Sequence, residues 1–536
     1  MFIRLPLALI AALLVVRLPS LMQPMGPDQA LYSYVGARIL HGDLAYRDAF
    51  DQKPPGIHYL YAGLRALSKR DAVVPAADLA AAAITAALLW GLGAGLAGRA
   101  AGAWAAVIFL LLSDPGFARY GGMRVRAQAE TFIGLAVAGA LALVVRFRKP
   151  VSSLQLPVSR PESGALGAGV LIGAAFALKY NAGVYGIVVL AAMFIVSKDA
   201  AFSWRHAAFV VLGAAVIPLL LLARFWAGHA LGDLYQDTIV YNVQYSAETY
   251  TSRWEMVRYV FAGPIRHAQV DPLWFVGGVG CLTLLFFIRR RAVWVPLLWV
   301  ALACVSIAIN GARDLPQYFI QAAPALALSA GMAAALTRPH LPAAARWIVV
   351  ALLAAATWRV GSDPFPKLAA NVRYDSEYLL GRMDRRTYLA RFGSREIDKY
   401  SALGNRDIGD FLASHTGADD TVYVFGYSPG AYVYAERRSA SRFFWSRPIL
   451  VGFNSADPSY GVNGVRTDLA RNQPAYIVLQ EHDWAPAEVK FRAAEDIRDS
   501  APFFHAQAPL ETLLRTNYHR LDGFINGFEG WERNGR

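Results

Sequence analysis

The sequence is short of charge and of cysteine. Only 17% of its 536 residues are charged, where a soluble chain of this length carries about 25%. Its two cysteines, Cys281 and Cys304, both lie in apolar stretches, which excludes a disulfide framework. The ten histidines show no H-E-x-x-H or other ligand spacing, so no protein-built zinc site is indicated. Internal repeats and low-complexity tracts are also missing. Together with the long apolar blocks described next, these features exclude a disordered chain, a nucleic-acid-binding protein and an ordinary cytosolic enzyme.

Apolar sequence is abundant. Hydrophobic residues make up 56% of the chain and the mean hydropathy is +0.33. About 20 mostly apolar residues suffice to cross a bilayer. Segment 2–18 is the first such block. With Arg4 near its start and no small-residue cleavage site after it, it reads as an uncleaved anchor. Further spans are expected near 73–97, 101–117, 129–146, 164–180, 182–197, 207–227, 272–288, 292–310, 317–337 and 345–359, about eleven in all.

The net charge of +13 is distributed unevenly. The strongest basic loops are 146–160, Lys198 with Arg205, Arg289 to Arg291, and Arg338 with Arg346. All fall on one side if the spans alternate, and the positive-inside rule makes that side cytoplasmic. The expectation is a multi-pass inner (plasma) membrane protein with a cytoplasmic N-terminus. Loops 19–72, 114–128, 228–271 and 311–316 then face the periplasm or cell exterior, with everything beyond 360. Arg38, Arg47, Lys53, Arg124 and Arg126 sit on that disfavoured side. Either an anionic ligand holds them there or long loops escape the rule.

Beyond residue 360 apolar runs shorten and charges become frequent. A helix over 403–414 and buried strands over 421–425 and 475–479 predict a soluble α/β domain. The expected fold is therefore an α-helical polytopic membrane region over 1–360, with juxtamembrane helices in its first outside loop 19–72. A soluble periplasmic or extracellular α/β domain over 361–536 follows it.

Two formal motif matches carry little chemistry. Gly93 to Gly98 fits G-x-G-x-x-G, but it ends an apolar span, where small residues let helices approach closely. Gly426 to Gly430 fits the nucleophile elbow G-x-S-x-G. Its residue after the serine is Pro429, which lacks the N–H that an oxyanion hole needs, so a tight turn after a strand is the better reading.

The first outside loop is the informative one. Asp28 directly follows the first span, and Leu31, Val35 and Ile39 then recur at helical spacing, as in an amphipathic helix at the membrane surface. The later run Asp51-Gln52-Lys53-Pro54-Pro55 cannot be helix interior, because proline removes donors and restricts the preceding residue. A rigid turn thus presents Lys53 near the bilayer. Asp28 has a plain alternative as a helix N-cap, and Lys53 as a contact for lipid phosphates.

These residues resemble the GT-C glycosyltransferases, in particular the family 39-like group that includes protein O-mannosyltransferases and the lipid A aminoarabinose transferase. The resemblance rests on Asp28 after the first span, the helix with Tyr32 and Tyr34, Gly42-Asp43 with Tyr46-Arg47, and Asp51 to Pro55 leading into Ile57-His58-Tyr59. It extends to Arg124 through Glu130, which resembles the second acidic position, to Lys179 after the fifth span, and to the late segment Arg313 to Pro324. The chain departs from the family's common Asp-Glu pair with Asp28-Gln29, and has Glu130 where relatives often have Asp.

The resemblance implies an inverting transfer of a sugar from a polyprenyl phosphate to a lipid, glycan or protein acceptor at the outer membrane interface, with no nucleic acid involved. Asp28 is then the candidate base for the acceptor hydroxyl. Glu130 is the second candidate acid, orienting Lys53 or the acceptor or helping to hold a divalent metal ion, the only cofactor left open. Lys53, with Arg124, Arg126, Lys179 and Arg313, is a candidate for the donor phosphate, whose charge grows as the bond breaks. Lys179 could instead snorkel at a helix end. Tyr59, Gln317 and Tyr318 are candidate substrate contacts. The tyrosines of loop 228–271, including Tyr241, Tyr245 and Tyr250, could cover the cavity or be interfacial aromatics. The rival readings are a polysaccharide polymerase or ligase, and a transporter or flippase for lipid-linked sugar. A transporter should show mid-bilayer charges and internal repeats, whereas here the charges sit at span ends.

Overall fold

The computed structural model describes residues 4–115, 119–120, 123–146, 161–196, 204–393, 400–484 and 498–535. The apolar blocks of the first part form α1 (Arg4–Arg17), α4 (Val73–Ala97), α5 (Arg99–Leu112), α6 (Ala129–Arg146), α7 (Pro161–Leu178), α8 (Tyr185–Val196) and α9 (Trp204–Ala227). They continue with α13 (Pro272–Leu285), α14 (Trp294–Ile309), α16 (Ala323–Thr337) and α17 (Ala343–Val360). Each of the eleven expected spans falls on one of these helices. By length and composition alone, α4, α9, α14 with the turn before it, and α17 can each cross a membrane. Two bent helix pairs would raise that count from four to six. Helices of 14–18 residues such as α5, α6 and α7 reach about 21–27 Å at ~1.5 Å per residue, short of a ~30 Å hydrocarbon core. The basic stretch 147–160 and Lys198, on which the orientation was argued, lie outside the described residues.

Small residues knit the bundle. Gly93, from the G-x-G-x-x-G match, meets Gly102 of α5 so closely that a Cβ on Gly102 would lie 2.0 Å from the Trp90 carbonyl oxygen. Gly169 of α7 and Gly213 of α9 make the same kind of crossing. With no hydrophobic effect to press apolar helices together in lipid, such close backbone contact is what holds them. The glycine motif is therefore a helix crossing.

Between these helices lie α2 (Pro27–Leu40), α3 (Gly56–Leu67), α10 (Leu231–Tyr235), α11 (Tyr241–Ala247), α12 (Arg253–His267) and α15 (Pro316–Ile320). Most of segment 228–271 is thus helical, with a π-turn over Gln236–Val240. A two-residue hairpin, β1 (Arg119–Tyr120) and β2 (Met123–Arg124), precedes α6.

The amphipathic expectation for α2 needs correction. Residues 29–36 are buried without interruption, so α2 is enclosed on all sides. The region after α18 (Pro364–Leu379) supplies the cover. There β3 (Thr421–Phe425), β4 (Arg438–Ser439), β5 (Tyr476–Gln480), β6 (Tyr518–Arg520) and β7 (Phe528–Arg533) form a mixed sheet in the order β4-β3-β5-β7-β6. β3 is parallel to β4 and β5, and β7 is antiparallel to β5 and β6. Helix Ala402–His415 and strands β3 and β5 lie where expected, within one residue at each end. The G-x-S-x-G segment is a turn after β3, and Ser428 donates to Gln480 Oε1 at 2.9 Å.

The sheet region sits directly on the first loop. Ser439 N donates to Tyr34 OH at 2.8 Å, Tyr400 OH to Met25 O at 3.0 Å, and Phe50 N to Arg442 O at 2.8 Å. Trp445 Nε1 donates to Phe50 O at 3.2 Å. We expect Gly102→Val to force α4 and α5 apart, costing about 1–3 kcal/mol as overpacking does. The check is a lower melting temperature in detergent, with the secondary structure of the surviving fold unchanged.

Candidate functional site

Asp28 is the second residue of α2. The helix start is capped by Gln29, whose Oε1 accepts from Gly26 N at 2.6 Å while its Nε2 donates to Arg126 O at 2.6 Å. The capping role available to Asp28 is thus taken by its neighbour, which gives the Gln at position 29 a structural reason. The Asp28 carboxylate makes no hydrogen bond or ion pair among the described residues.

Lys53 sits in the turn between residues 50 and 56. Tyr46 OH donates to the Lys53 carbonyl at 2.7 Å, and Gln52 N to Asp51 Oδ1 at 2.7 Å. The other Asp51 oxygen lies 3.1 Å from Nε2 of the fully buried His58. Pro54 and Pro55 stiffen the exit, and Gly56 lets α3 begin against the backbone of Ala177, where a Cβ would stand 2.6 Å away. That approach sets the turn beside the end of α7, where Lys179 follows. Lys53 Nζ, like Asp28, has no hydrogen-bonding or ion-pair partner among the described residues.

The two unpaired charges feel one another. Burial is the largest influence on Asp28 and raises its carboxyl above the usual 3.8, helped by Asp51 and Glu130 and opposed by Lys53 and Lys179. Burial works against the Lys53 ammonium, but Asp28, Asp51, Tyr245 and Glu130 outweigh it and hold the pKa above 10.5.

A second layer is fully paired. Lys179 meets Glu130 at 2.5 Å, and both are buried. The Lys179 ammonium lies 4.3 Å from the centre of the Tyr318 ring, and Tyr318 OH is 3.3 Å from Tyr245 OH. Arg313 lies over Tyr245, 3.4 Å from its ring centre, bonds its carbonyl, and pairs with Glu248 at 2.8 Å. Arg447, on the short helix Arg447–Leu450 of the sheet region, also pairs with Glu248, at 3.0 Å. It donates to Tyr241 OH and lies 4.8 Å from the Tyr245 ring centre. Burial alone would raise the Tyr245 phenol. Arg313, Arg447 and Lys53 together bring it below its ordinary 10.

Asp28, Lys53, Glu130, Lys179, Arg313 and Tyr318 therefore belong to one constellation. Gln317 adjoins it, buried, with an unpartnered Oε1. Two candidates lie elsewhere. Arg126 is a buried clamp that donates to the carbonyls of Ser20 and Pro75 at 3.1 and 3.4 Å and lies 3.8 Å from Asp78. Tyr59 is half-buried and hydrogen-bonded to Arg224. The Arg124 side chain lies outside the described residues. Asp51 and His58 fall inside the sequence stretch that carried the family likeness, so their pairing was within reach of the sequence. Glu248 and Arg447 had no sequence signal, since their meeting spans about 200 positions. A cleft between α4, α6, α13 and α16 reaches this site only at Glu130, and neither Asp28 nor Lys53 lines it.

Among the described residues no group of three or more His, Cys, Asp or Glu is placed to hold a metal ion. Glu130 is committed to the Lys179 ammonium, and Asp28 faces the fields of two lysines. This donor set does not suit a cation, and no step is derived through one.

A helical bundle of apolar spans whose first long loop is roofed by a C-terminal mixed sheet has the GT-C fold of its solved neighbours. Among solved structures it resembles ArnT from Cupriavidus metallidurans bound to undecaprenyl phosphate, with 17% identity, 93% of this chain and 97% of that chain covered, and a TM-score of 0.54. The apo state of the same ArnT gives 18% identity, 89% and 93% coverage and a TM-score of 0.51. The apo oligosaccharyltransferase of Archaeoglobus fulgidus gives 11%, 99% and 74%, and 0.51. No family model and no curated protein matches the sequence.

Arg447→Met should remove two charge-assisted hydrogen bonds, worth about 1.5–3 kcal/mol where donor or acceptor is charged. The Tyr245 phenol should become less acidic as one of its cations is lost. Arg447→Lys restores the charge without the planar fork and should recover only part of either effect. Thermal unfolding, and an ultraviolet titration compared with a Tyr245→Phe control, check both.

Proposed function

We propose that the chain is an integral membrane glycosyltransferase that moves a sugar from a polyprenyl phosphate to a lipid, glycan or protein acceptor at the outward face of the membrane. The single observation that carries this reading is the half-buried, unpaired Asp28 lying in the field of a half-buried, unpaired Lys53. Holding two opposite charges partly out of water without joining them is costly, and it leaves both free for substrate.

In this reading the acceptor hydroxyl gives its proton to Asp28 while its oxygen forms a bond to the anomeric carbon. The bond from that carbon to the phosphate oxygen breaks, and its electron pair leaves with the lipid phosphate. Lys53 neutralises the growing charge as a point cation. The paired Lys179 and Arg313 add to the positive field, and the Tyr245 phenol, made more acidic by its cations, supports a phosphate oxygen as a donor. Glu130 holds Lys179 in place. The resemblance to ArnT, whose solved complex contains undecaprenyl phosphate, supports a lipid phosphate as the carrier. An outward orientation for the site and a periplasmic or extracellular sheet region belong to the same proposal. Charges gathered at one end of the helices, with no repeat, weigh against a transporter.

Asp28→Asn should lower transfer about 10²–10⁴-fold, the usual contribution of a general base. The wild-type rate should fall on acidification through a pKa above 3.8. The folded-state pKa of Asp28 lies above its unfolded value, so its ionised form destabilises the fold, and stability declines as pH rises from 3.8 through the raised pKa. Asp28→Asn should therefore raise the melting temperature at neutral pH while lowering transfer. A variant that is both inactive and less stable would count against the unpaired-base reading. Transfer is measured with a radiolabelled polyprenyl-phosphate sugar and membrane extracts as acceptor.

A further inference from the structure

The helix α12 carries a row of large apolar side chains that nothing among the described residues covers. Trp254, Val257, Phe261 and Ile265 recur at helical spacing on one face and are 79%, 44%, 68% and 62% exposed. Tyr259 and Gly263, on the other face, are buried. Ser252 caps the helix, accepting from Glu255 N at 3.4 Å, so the segment is a well-started helix rather than an exposed strand of loop. Arg253 and Arg258 are both exposed, flanking the row.

The direction of α12 explains the exposure. The chain turns through 115° between α12 and the apolar α13. With α13 running through hydrocarbon, α12 lies close to the membrane plane. An apolar row bordered by arginines, held in that plane, is the composition of a helix that rests in the interface.

The same helix grips the candidate site. Tyr259 OH donates to Asp314 Oδ1 at 2.7 Å, and Arg266 Nη2 lies 3.0 Å from Asp314 Oδ2. Asp314 has a φ of 49°, a left-handed conformation unusual for a residue with a side chain, and it directly follows Arg313. These two bonds from α12 hold the turn in that conformation.

We propose that α12 is a lipid-docking surface. It seats Trp254, Val257, Phe261 and Ile265 among the acyl chains and places Arg253 and Arg258 against anionic headgroups. Through Tyr259 and Asp314 this seating fixes the depth of Arg313 relative to the layer in which a lipid phosphate travels. The docking itself requires only a membrane. The consequence for Arg313 rests on the proposed function.

The test uses the full chain with Cys281→Ala and Cys304→Ala, carrying a nitroxide on Phe261→Cys or, as the reference, on Glu255→Cys. It is reconstituted in nanodiscs of phosphatidylcholine alone or mixed with phosphatidylglycerol, and relaxation by oxygen is compared with relaxation by an aqueous nickel chelate. The expected result is a several-fold higher oxygen-to-nickel ratio at position 261 than at 255, rising further with phosphatidylglycerol. Equal ratios at the two positions overturn the proposal. So does dipolar broadening at 261 from a second copy in the same disc, which would make the row a contact between copies. A Trp254→Glu/Phe261→Glu pair should raise the KM for the lipid-borne donor several-fold with a smaller change in kcat. An immersed label in a wild type that transfers no sugar leaves the docking standing and removes the proposed reaction. A water-exposed label in an active wild type does the opposite.

Discussion

Asp28 and Lys53 are half-buried near one another and left unpaired, and the local backbone around each is tied down by other residues. Opposite charges drawn partly out of water would ordinarily collapse into a pair, because the desolvation of each is offset only by contact. Glu130 and Lys179 do so a short distance away, at 2.5 Å. The difference lies in the backbone each charge is attached to. Gln29 occupies the helix cap that would draw the Asp28 carboxylate toward its own backbone. The Lys53 turn is pinned by Tyr46, by the Asp51–His58 pair and by two prolines. A carboxylate and a lysine thus give a structural ion pair in one place and two available charges in the other.

The sheet region completes the site as well as covering it. Arg447 arrives from a four-residue helix whose start is set by Ser446, a buried hydroxyl that receives hydrogen bonds from Trp484 Nε1 and Ser500 Oγ at 3.1 and 2.7 Å. From there Arg447 shares Glu248 with Arg313, so one carboxylate joins the helical bundle to the sheet. The phenol of Tyr245 lies between the two arginines. Its acidity therefore depends on a side chain some 200 positions away in sequence. This coupling gives a physical reason for the region after 360 to be folded onto the first loop rather than tethered beyond it.

The helices of the first part were legible because burial in lipid demands long apolar runs, and each expected span fell on a helix. Strand β3 was legible because a short apolar run between turns has few other uses. The surface-lying α2 was misjudged for a physical reason: the pattern of Leu31, Val35 and Ile39 marks one buried face, and nothing local states that a sheet contributed by residues 400–450 buries the other. The same limit applies to Arg126. A basic residue outside the membrane looks like an anion contact until the carbonyls of Ser20 and Pro75, distant in sequence, are seen to satisfy it. Proline and helix-start chemistry constrain the neighbours of Asp28 and Lys53, but it was the likeness of their stretch to the GT-C first loop that singled the two out. Glu248 and Arg447 did not, since their meaning lies wholly in their meeting.

The charges around the site also suit the proposed chemistry. Lys53, Lys179, Arg313 and Arg447 are matched by Asp28, Asp51, Glu130 and Glu248, so the constellation is balanced when His58 is neutral. In the proposed transfer a phosphodiester with one negative charge becomes a phosphomonoester with a second. The acceptor's proton simultaneously removes the charge of Asp28. The total is unchanged across the step, and negative charge only moves from the Asp28 carboxylate toward the phosphate beside Lys53. In a half-buried site, where an added charge is only partly screened by water, a reaction that shifts charge without creating it meets the smallest electrostatic resistance. An unpaired aspartate with a lysine in its field is the arrangement that such a shift requires.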